Sequence, residues 1–296
     1  MKDRRMSEII QQKKMFRAVN LKDRSWMEHC RKNCPQEMTV ISFPAVYTWQ
    51  SAFGLTIDGD DRFYVIHSAS DDGYYYPVGD RDACRACVRS LMTDSGPLKF
   101  VYVPESELEW LESEGFKILC EPATSEYVYS SRSLALLDNG SGTNYRVKIR
   151  HFSRDNEWIV RPLAFPRDTD LLLEKAAAWD QSSDSSFPSD RLAWLSAVKD
   201  PAALGFSGIY LETRQGEWAI LLGYRSTERI FDQSFIKYSP GISRNVVPVC
   251  ISEVAKLTWE KYPCTNLEDD LGNPGLRNMK MLYRPLFLLA SSTAIL

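Results

Sequence analysis

Three consecutive carboxylates, Glu268, Asp269 and Asp270, stand close to two cations, Arg277 and Lys280. Between them Asn273 suits an N-cap and Pro274 the first helical position. Leu276, Met279 and Tyr283 recur at helical spacing and are expected to face a core. Arg277 and Lys280, three apart, are then expected to share the other face. Thr265–Leu267 reads as a strand leading in, and residues two apart in a strand point the same way, so Glu268 and Asp270 are expected to face one pocket. Carboxylates and cations crowded at a helix start are where pKa values shift and anions dock. A carboxylate there can take a proton, and a cation or backbone N–H can steady a developing oxyanion. The same residues also make an ordinary capped surface helix with ion pairs.

A second candidate is the strand–loop–helix at residues 229–262. The loop Ser239-Pro240-Gly241-Ile242-Ser243 feeds a helix start, whose unpaired N–H groups and positive dipole end suit an anion. Lys237 and Tyr238 close the strand before it and are expected to complete the pocket. The glycine-rich signature of an ordinary coenzyme A site is absent from this loop, and a plain connector is the alternative. A third candidate is the basic run Arg146, Lys148 and Arg150. Read as a strand, it puts all three cations on one side, either as a phosphate-binding face or as a solvated one.

Other chemistries find little support. There is no Walker loop and no dinucleotide glycine fingerprint, and Gly140-Ser141-Gly142 reads as a hairpin turn rather than a nucleophile elbow. His29, His67 and His151 have no adjacent nucleophile motif and read as structural. The seven cysteines are read as free thiols. Cys30/Cys34 and Cys84/Cys87 lack the turn glycines of a zinc knuckle, so no metal is expected. A net charge of −3 argues against a general nucleic-acid coat but not against a local basic patch. Residues 1–14 lack the apolar centre of a secretion signal, and no apolar run is long enough to span a bilayer, so a cytoplasmic location is expected.

The elements that position these residues follow from punctuation and periodicity. Residues 2–34 read as helical, broken near Asn20–Arg24. Thr39–Ile41, Tyr47–Gln50, Leu55–Ile57 and Phe63–His67 read as strands, the last two joined by a turn at Asp58–Asp61. Tyr74–Gly79 follows as a strand, Asp82–Thr93 as a helix, Leu98–Val103 as a strand, Pro104–Glu114 as a helix and Phe116–Cys120 as a strand. A similar order returns later: helices Asp168–Trp179 and Pro188–Val198 around a Ser/Asp-rich loop Asp180–Ser189, strands Gly208–Thr213, Glu217–Tyr224 and Arg229–Tyr238, helix Pro248–Tyr262, and a final apolar strand from Leu286 to Leu289. Strands mixed with helices in this order give a mixed α/β class, α+β, in two successive halves.

The run Asn266, Glu268, Asp270, Leu271, Gly272, Gly275, Leu276, Arg277, Lys280, Tyr283, Pro285 resembles the closing signature of the C-terminal catalytic domain of phosphatidylglycerol lysyltransferases and their soluble relatives. Glu126-Tyr127-Val128-Tyr129 with Leu134, Leu137 and Gly140, the basic segment Arg146–Phe152, and Phe235–Ile242 resemble further pieces of that family in the same order. Together they cover about residues 40–290. Glu126 stands where the family has Asp and Asp269 where it has Gln, and the basic segment differs in composition.

The resemblance implies two tandem Gcn5-related acetyltransferase-like domains, each a mixed sheet flanked by helices, expected at residues 1–160 and 161–296 with the active cleft in the second. It implies acyl-group transfer from an aminoacyl-tRNA to an amine or hydroxyl acceptor, with tRNA and a small-molecule or peptide acceptor as partners and no tightly bound cofactor. Peripheral membrane contact is compatible with it. Glu268, Asp270, Arg277 and Lys280 become the expected catalytic residues, and Lys237, Tyr238, Gly241, Asn266, Arg146 and Arg150 the expected substrate-binding ones. The alternatives are a coenzyme A thioester-dependent N-acyltransferase and a non-catalytic binding module on the same fold.

Overall fold

The computed structural model describes residues 15–32, 34–94, 96–182 and 188–296. Part of the helical opening expected over 2–34, and residues 183–187 of the expected Ser/Asp-rich loop, lie outside them. The chain divides into two compact units, one from Met1–Gln36, Ile41–Cys120 and Ser291–Leu296, the other from Glu37–Val40 and Glu121–Ala290. The division after Cys120 replaces the one expected at residue 160, because Glu126–Ser130 pairs into the second sheet.

The first unit runs α1 (Arg24–Lys32), α2 (Phe43–Phe53), β1 (Leu55–Gly59), β2 (Phe63–Ser68), β3 (Gly73–Gly79), α3 (Arg81–Asp94), β4 (Lys99–Val103), α4 (Leu108–Ser113) and β5 (Lys117–Cys120). Its sheet has the order β1, β2, β3, β4, then the strand Ser292–Ile295, then β5. Among the described residues only β3 and β4 of this sheet pair in parallel. Val88 and Leu91 of α3 pack on Phe100, Val103, Phe116 and Ala294. The strands expected at Thr39–Ile41 and Tyr47–Gln50 are not formed. The first is a turn, and the second lies inside α2. The Ser42 side chain caps that helix, Pro44 occupies its first turn, and Gly54 closes it in the left-handed region at φ 61°. These end signals outweigh the strand preference of the aromatic and β-branched residues between them.

The second unit runs β6 (Glu126–Ser130), α5 (Ser131–Leu136), α6 (Thr143–Asp155), β7 (Trp158–Leu163), α7 (Thr169–Ser182), α8 (Pro188–Ala197), α9 (Pro201–Leu204), β8 (Ser207–Thr213), β9 (Trp218–Arg225), β10 (Ile230–Tyr238), α10 (Val246–Thr258), β11 (Cys264–Asn266), α11 (Pro274–Leu282) and β12 (Phe287–Leu289), after which Ser292–Ile295, β13, returns to the first sheet. Its sheet has the order β12-β6-β11-β10-β9-β8-β7, with β10 and β11 as the parallel pair. Both sheets are therefore mixed and flanked by helices, the α+β plan that the resemblance implies.

The basic segment is a helix, α6, not a strand. Tyr145, Ile149 and Phe152 recur at helical spacing and join the core on α10. Arg146 and Arg150, four apart, share one side of α6, whereas the Lys148 ammonium lies 5.8 Å from the centre of the Tyr283 ring. Gly140-Ser141-Gly142 is no hairpin turn but a 3-10 turn and its exit, joining α5 to α6.

Candidate functional site

The site forms where β10, β11 and β6 run side by side and the chain leaves β11 toward α11. Asp232 of β10 is in register with Asn266 of β11, and Asn266 with Val128 of β6. A register shift between Asp232 and Phe235 changes the parity of β10. Phe231, Ile236 and Tyr238 pack on the α10 side. Phe235 instead meets Trp194 of α8 and Phe206. Lys237 has the parity of Phe235, and its Nζ donates to Asp190 of α8 at 2.5 Å while sitting 4.6 Å from the centre of the Trp179 ring of α7. Lys237 and Tyr238 therefore do not complete one pocket, because adjacent strand residues serve opposite faces.

Glu126 and Asn266 fix the start of the loop after β11. Glu126 is buried, and its carboxylate accepts from the backbone N–H of Thr39 (2.8 and 2.9 Å) and Val40 (3.1 Å) and from Asn266 Nδ2 at 2.5 Å. Burial pushes the Glu126 carboxyl up, against those donors. Asn266 Oδ1 in turn accepts the backbone N–H of Glu268 at 2.7 Å. Asn266 thus acts through the backbone of the loop, not on an exposed surface.

Glu268 and Asp270 do not continue a strand. Glu268 has φ 59°, Leu271 49° and Gly272 72°, so three of five residues are left-handed. Asp270 is buried and tied down: it accepts Arg277 Nε at 2.8 Å, Arg277 Nη2 at 3.0 Å, the Tyr127 hydroxyl at 2.5 Å and the Gly272 N–H at 2.9 Å. Burial pushes its pKa up, and the Arg277, Tyr127 and Gly272 donors outweigh this and hold it below the ordinary value. Glu268 is half-buried, and among the described residues its carboxylate has no hydrogen bond. Burial first, and the charge of Asp232 second, push its pKa well above the ordinary value, with Lys280 opposing. Asp269, held by burial, rises to about 6.

Lys280 does not share an outer face with Arg277. It is the buried residue of α11. Its Nζ donates to the carbonyls of Leu267 at 2.6 Å and Glu268 at 3.1 Å, and closely to that of Asp269. Burial pushes its pKa down, and Glu268, Asp269, Asp270 and Asp232 push the other way. Of the apolar positions expected to face a core, Tyr283 is buried and Leu276 and Met279 are half-buried. Asn273 caps the helix as expected, accepting from the N–H of Gly275 and Leu276.

The structure therefore brings together Asn266, Glu268, Asp270, Arg277 and Lys280, and Lys237 senses the charge of Glu268. Arg146 and Arg150 lie on α6, Arg150 exposed and Arg146 half-buried. Gly241 lies in an exposed loop, and a side chain there would meet the Glu217 carboxylate. A carboxylate at that place opposes the binding of a pyrophosphate. The residues missed at the sequence level are Asp232, Tyr127 and Asp190. For Asp232 a signal exists, since Asp-Gln-Ser interrupts an otherwise apolar strand. For Asp190 none does, because the pairing of α8 with β10 is long-range.

Among proteins with curated descriptions, none matches the chain. Solved structures do. A conserved protein of unknown function from Bacteroides thetaiotaomicron VPI-5482 has 24% identity and a TM-score of 0.83, covering 96% of this chain and 100% of that one. L-PGS from Bacillus licheniformis has 12% identity and a TM-score of 0.58, covering 83% and 89%. FemX has 9% identity and a TM-score of 0.62, covering 95% and 97%. At these identities the likeness is one of fold. The model of the family described as "Phosphatidylglycerol lysyltransferase, C-terminal" matches residues 40–292. That match takes in every site residue from Glu126 to Lys280, and the chain belongs to this family.

Proposed function

We propose that the protein transfers an aminoacyl group from a charged tRNA to an amine or hydroxyl acceptor, with Glu268 as the general base. Membership of the lysyltransferase family supports aminoacyl transfer at the level of the family. The observation that carries the finer reading is the place of the Glu268 carboxyl: free of hydrogen bonds among the described residues, only half-buried, and with its pKa pushed well above the ordinary carboxylate value by burial and by Asp232. A carboxylate whose pKa is raised is a stronger base than a free one and is suited to take a proton from the acceptor.

In this reading the acceptor N–H or O–H gives its proton to Glu268 as its lone pair attacks the ester carbonyl. The tetrahedral centre collapses, the bond to the tRNA ribose oxygen breaks, and Glu268 returns the proton to that oxygen. The ester is already activated, so the protein supplies position and proton transfer, the latter worth about 10²–10⁴-fold. Asp270 and Arg277, bonded to each other, and Tyr127, bonded to Asp270, fix the loop that carries the base. Arg150, exposed on α6, offers a charge to the tRNA backbone.

The test is a donor contest on the purified chain. Charged tRNA, acetyl-CoA and a long-chain acyl-CoA are each titrated at two salt concentrations. Salt-sensitive binding of charged tRNA, with release of its aminoacyl group to an added amine, is the expected result. Binding of a coenzyme A thioester alone overturns the proposal.

A further inference from the structure

We infer that Lys280 is a positioning residue whose ammonium clamps three successive carbonyls and so holds Glu268 in its left-handed conformation. The inference rests on the reading of Glu268 as the base. An ammonium has three N–H donors and no acceptor. Here the carbonyls of Leu267, Glu268 and Asp269 take its contacts. Three carbonyl dipoles converging on one point repel each other unless a cation stands there. A residue other than glycine at φ 59° is held by its surroundings rather than by its own preference. The loop has the geometry of a chain wrapped around a charge.

The rest of the Glu268 backbone is fixed as well. Its N–H donates to Asn266 Oδ1 at 2.7 Å, and its carbonyl also accepts the Tyr127 N–H at 3.1 Å. With both backbone polar groups engaged, the side chain is the part left to move, and the clamp sets where it starts. The donors of Lys280 are engaged by the loop, so it neither hands over a proton nor meets an oxyanion without releasing those carbonyls. A planar guanidinium does not fit three carbonyls converging on a point. The charged groups around Glu268 come from several elements: Asp232 and Lys237 on β10, Glu126 on β6, Asp269 in the loop and Lys280 on α11.

The test uses Lys280→Met and Lys280→Arg in the full chain, read by amide hydrogen exchange and by transfer kinetics. Under the inference, the amides of Glu268, Leu271 and Gly272 exchange at least tenfold faster in Lys280→Met, while those of the β10–β11 ladder keep their protection. Transfer loses kcat with KM for charged tRNA unchanged, and Lys280→Arg does not rescue it. Unchanged exchange in the loop overturns the clamp. Faster exchange together with a Glu268→Gln variant as active as wild type sustains the clamp and sinks the reading of Glu268 as the base.

A second comparison holds where Lys280→Met alone is too unstable. Glu268→Gly and Glu268→Ala both remove the carboxylate, but only glycine adopts φ 59° freely. Lys280→Met is expected to lower the melting temperature less in the Glu268→Gly background than in the Glu268→Ala background. Equal losses in the two backgrounds overturn the inference.

Discussion

The Tyr127 hydroxyl donates to Asp270 Oδ2 at 2.5 Å, the oxygen that also takes Arg277 Nε, while Arg277 Nη2 takes Oδ1. The carboxylate is sealed from solvent, while the Arg277 side chain is 45% exposed. Asp270 therefore bears the cost of burial, and Arg277 offsets it. Arg277→Met leaves a buried charge with a phenol and one N–H. We expect Arg277→Met to be less stable than wild type at neutral pH. The Asp270 carboxyl is held below its ordinary value of 3.8. Its contribution is thus present above that value and lost as pH falls through the folded one. Urea unfolding checks this: the gap between wild type and variant should narrow as pH drops below about 4.

Asp269 carries the opposite sign. Its pKa rises from 3.8 to about 6, chiefly through burial. A raised carboxyl favours the folded state below the unfolded value, and that stability is lost as pH rises through about 6. Asp269→Asn keeps an oxygen for the Leu271 N–H and removes the charge. It should be more stable than wild type at pH 8 by about 1 kcal/mol, after discounting for solvent screening. At pH 3.5 thermal melts of the two should coincide.

Glu268→Gln preserves shape and removes the base. Transfer should fall by about 10²–10⁴-fold, with the thermal midpoint unchanged or slightly raised because a buried charge is lost. In wild type, kcat/KM should climb with pH through a limb above the ordinary carboxylate range, since the base works deprotonated and its pKa is pushed up. The variant should lack that limb. A pH–rate profile with the same limb in both proteins would move the proton transfer elsewhere.

Arg150 gives the tRNA reading a test of its own. It is exposed on α6, and no ion pair holds it among the described residues. Arg150→Gln should weaken tRNA binding and lower the slope of log affinity against log salt by about one. An unchanged slope removes α6 from the RNA-facing surface.

Much of the scaffold was legible from local signals, and its errors have local causes. Asn273-Pro274 marked the start of α11 because a side-chain acceptor and a proline with no N–H suit a helix entrance. Within Phe43–Phe53 the aromatic and β-branched residues favour a strand at Tyr47–Gln50, whereas Ser42, Pro44 and Gly54 carry the helix's punctuation. In α6 the alternating cations hid the apolar period of Tyr145, Ile149 and Phe152. The site was legible in its residues but not in its geometry. Glu268, Asp270, Arg277 and Lys280 do converge, yet a lysine in an amphipathic helix reads as solvent-facing, and nothing local tells that three carbonyls need it. The partners Tyr127 and Glu126 lie more than a hundred residues away in sequence from Asp270 and Asn266, at separations of 143 and 140. Such pairs are set by strand order, which periodicity does not encode.

The placement of β13 bears on how the protein is made. It lies between β4 and β5, and its Ala294 is fully buried in the first unit's core. The ribosome releases β1 to β5 early, but the strand that joins β4 to β5 emerges only after the whole second unit. The usual order of synthesis, in which the leading domain folds first, is therefore reversed. The unit that begins first finishes last. Until then β4 and β5 present bare edges, a template for pairing with another nascent chain. The second unit, complete by Ala290, has every segment it needs while the first still waits.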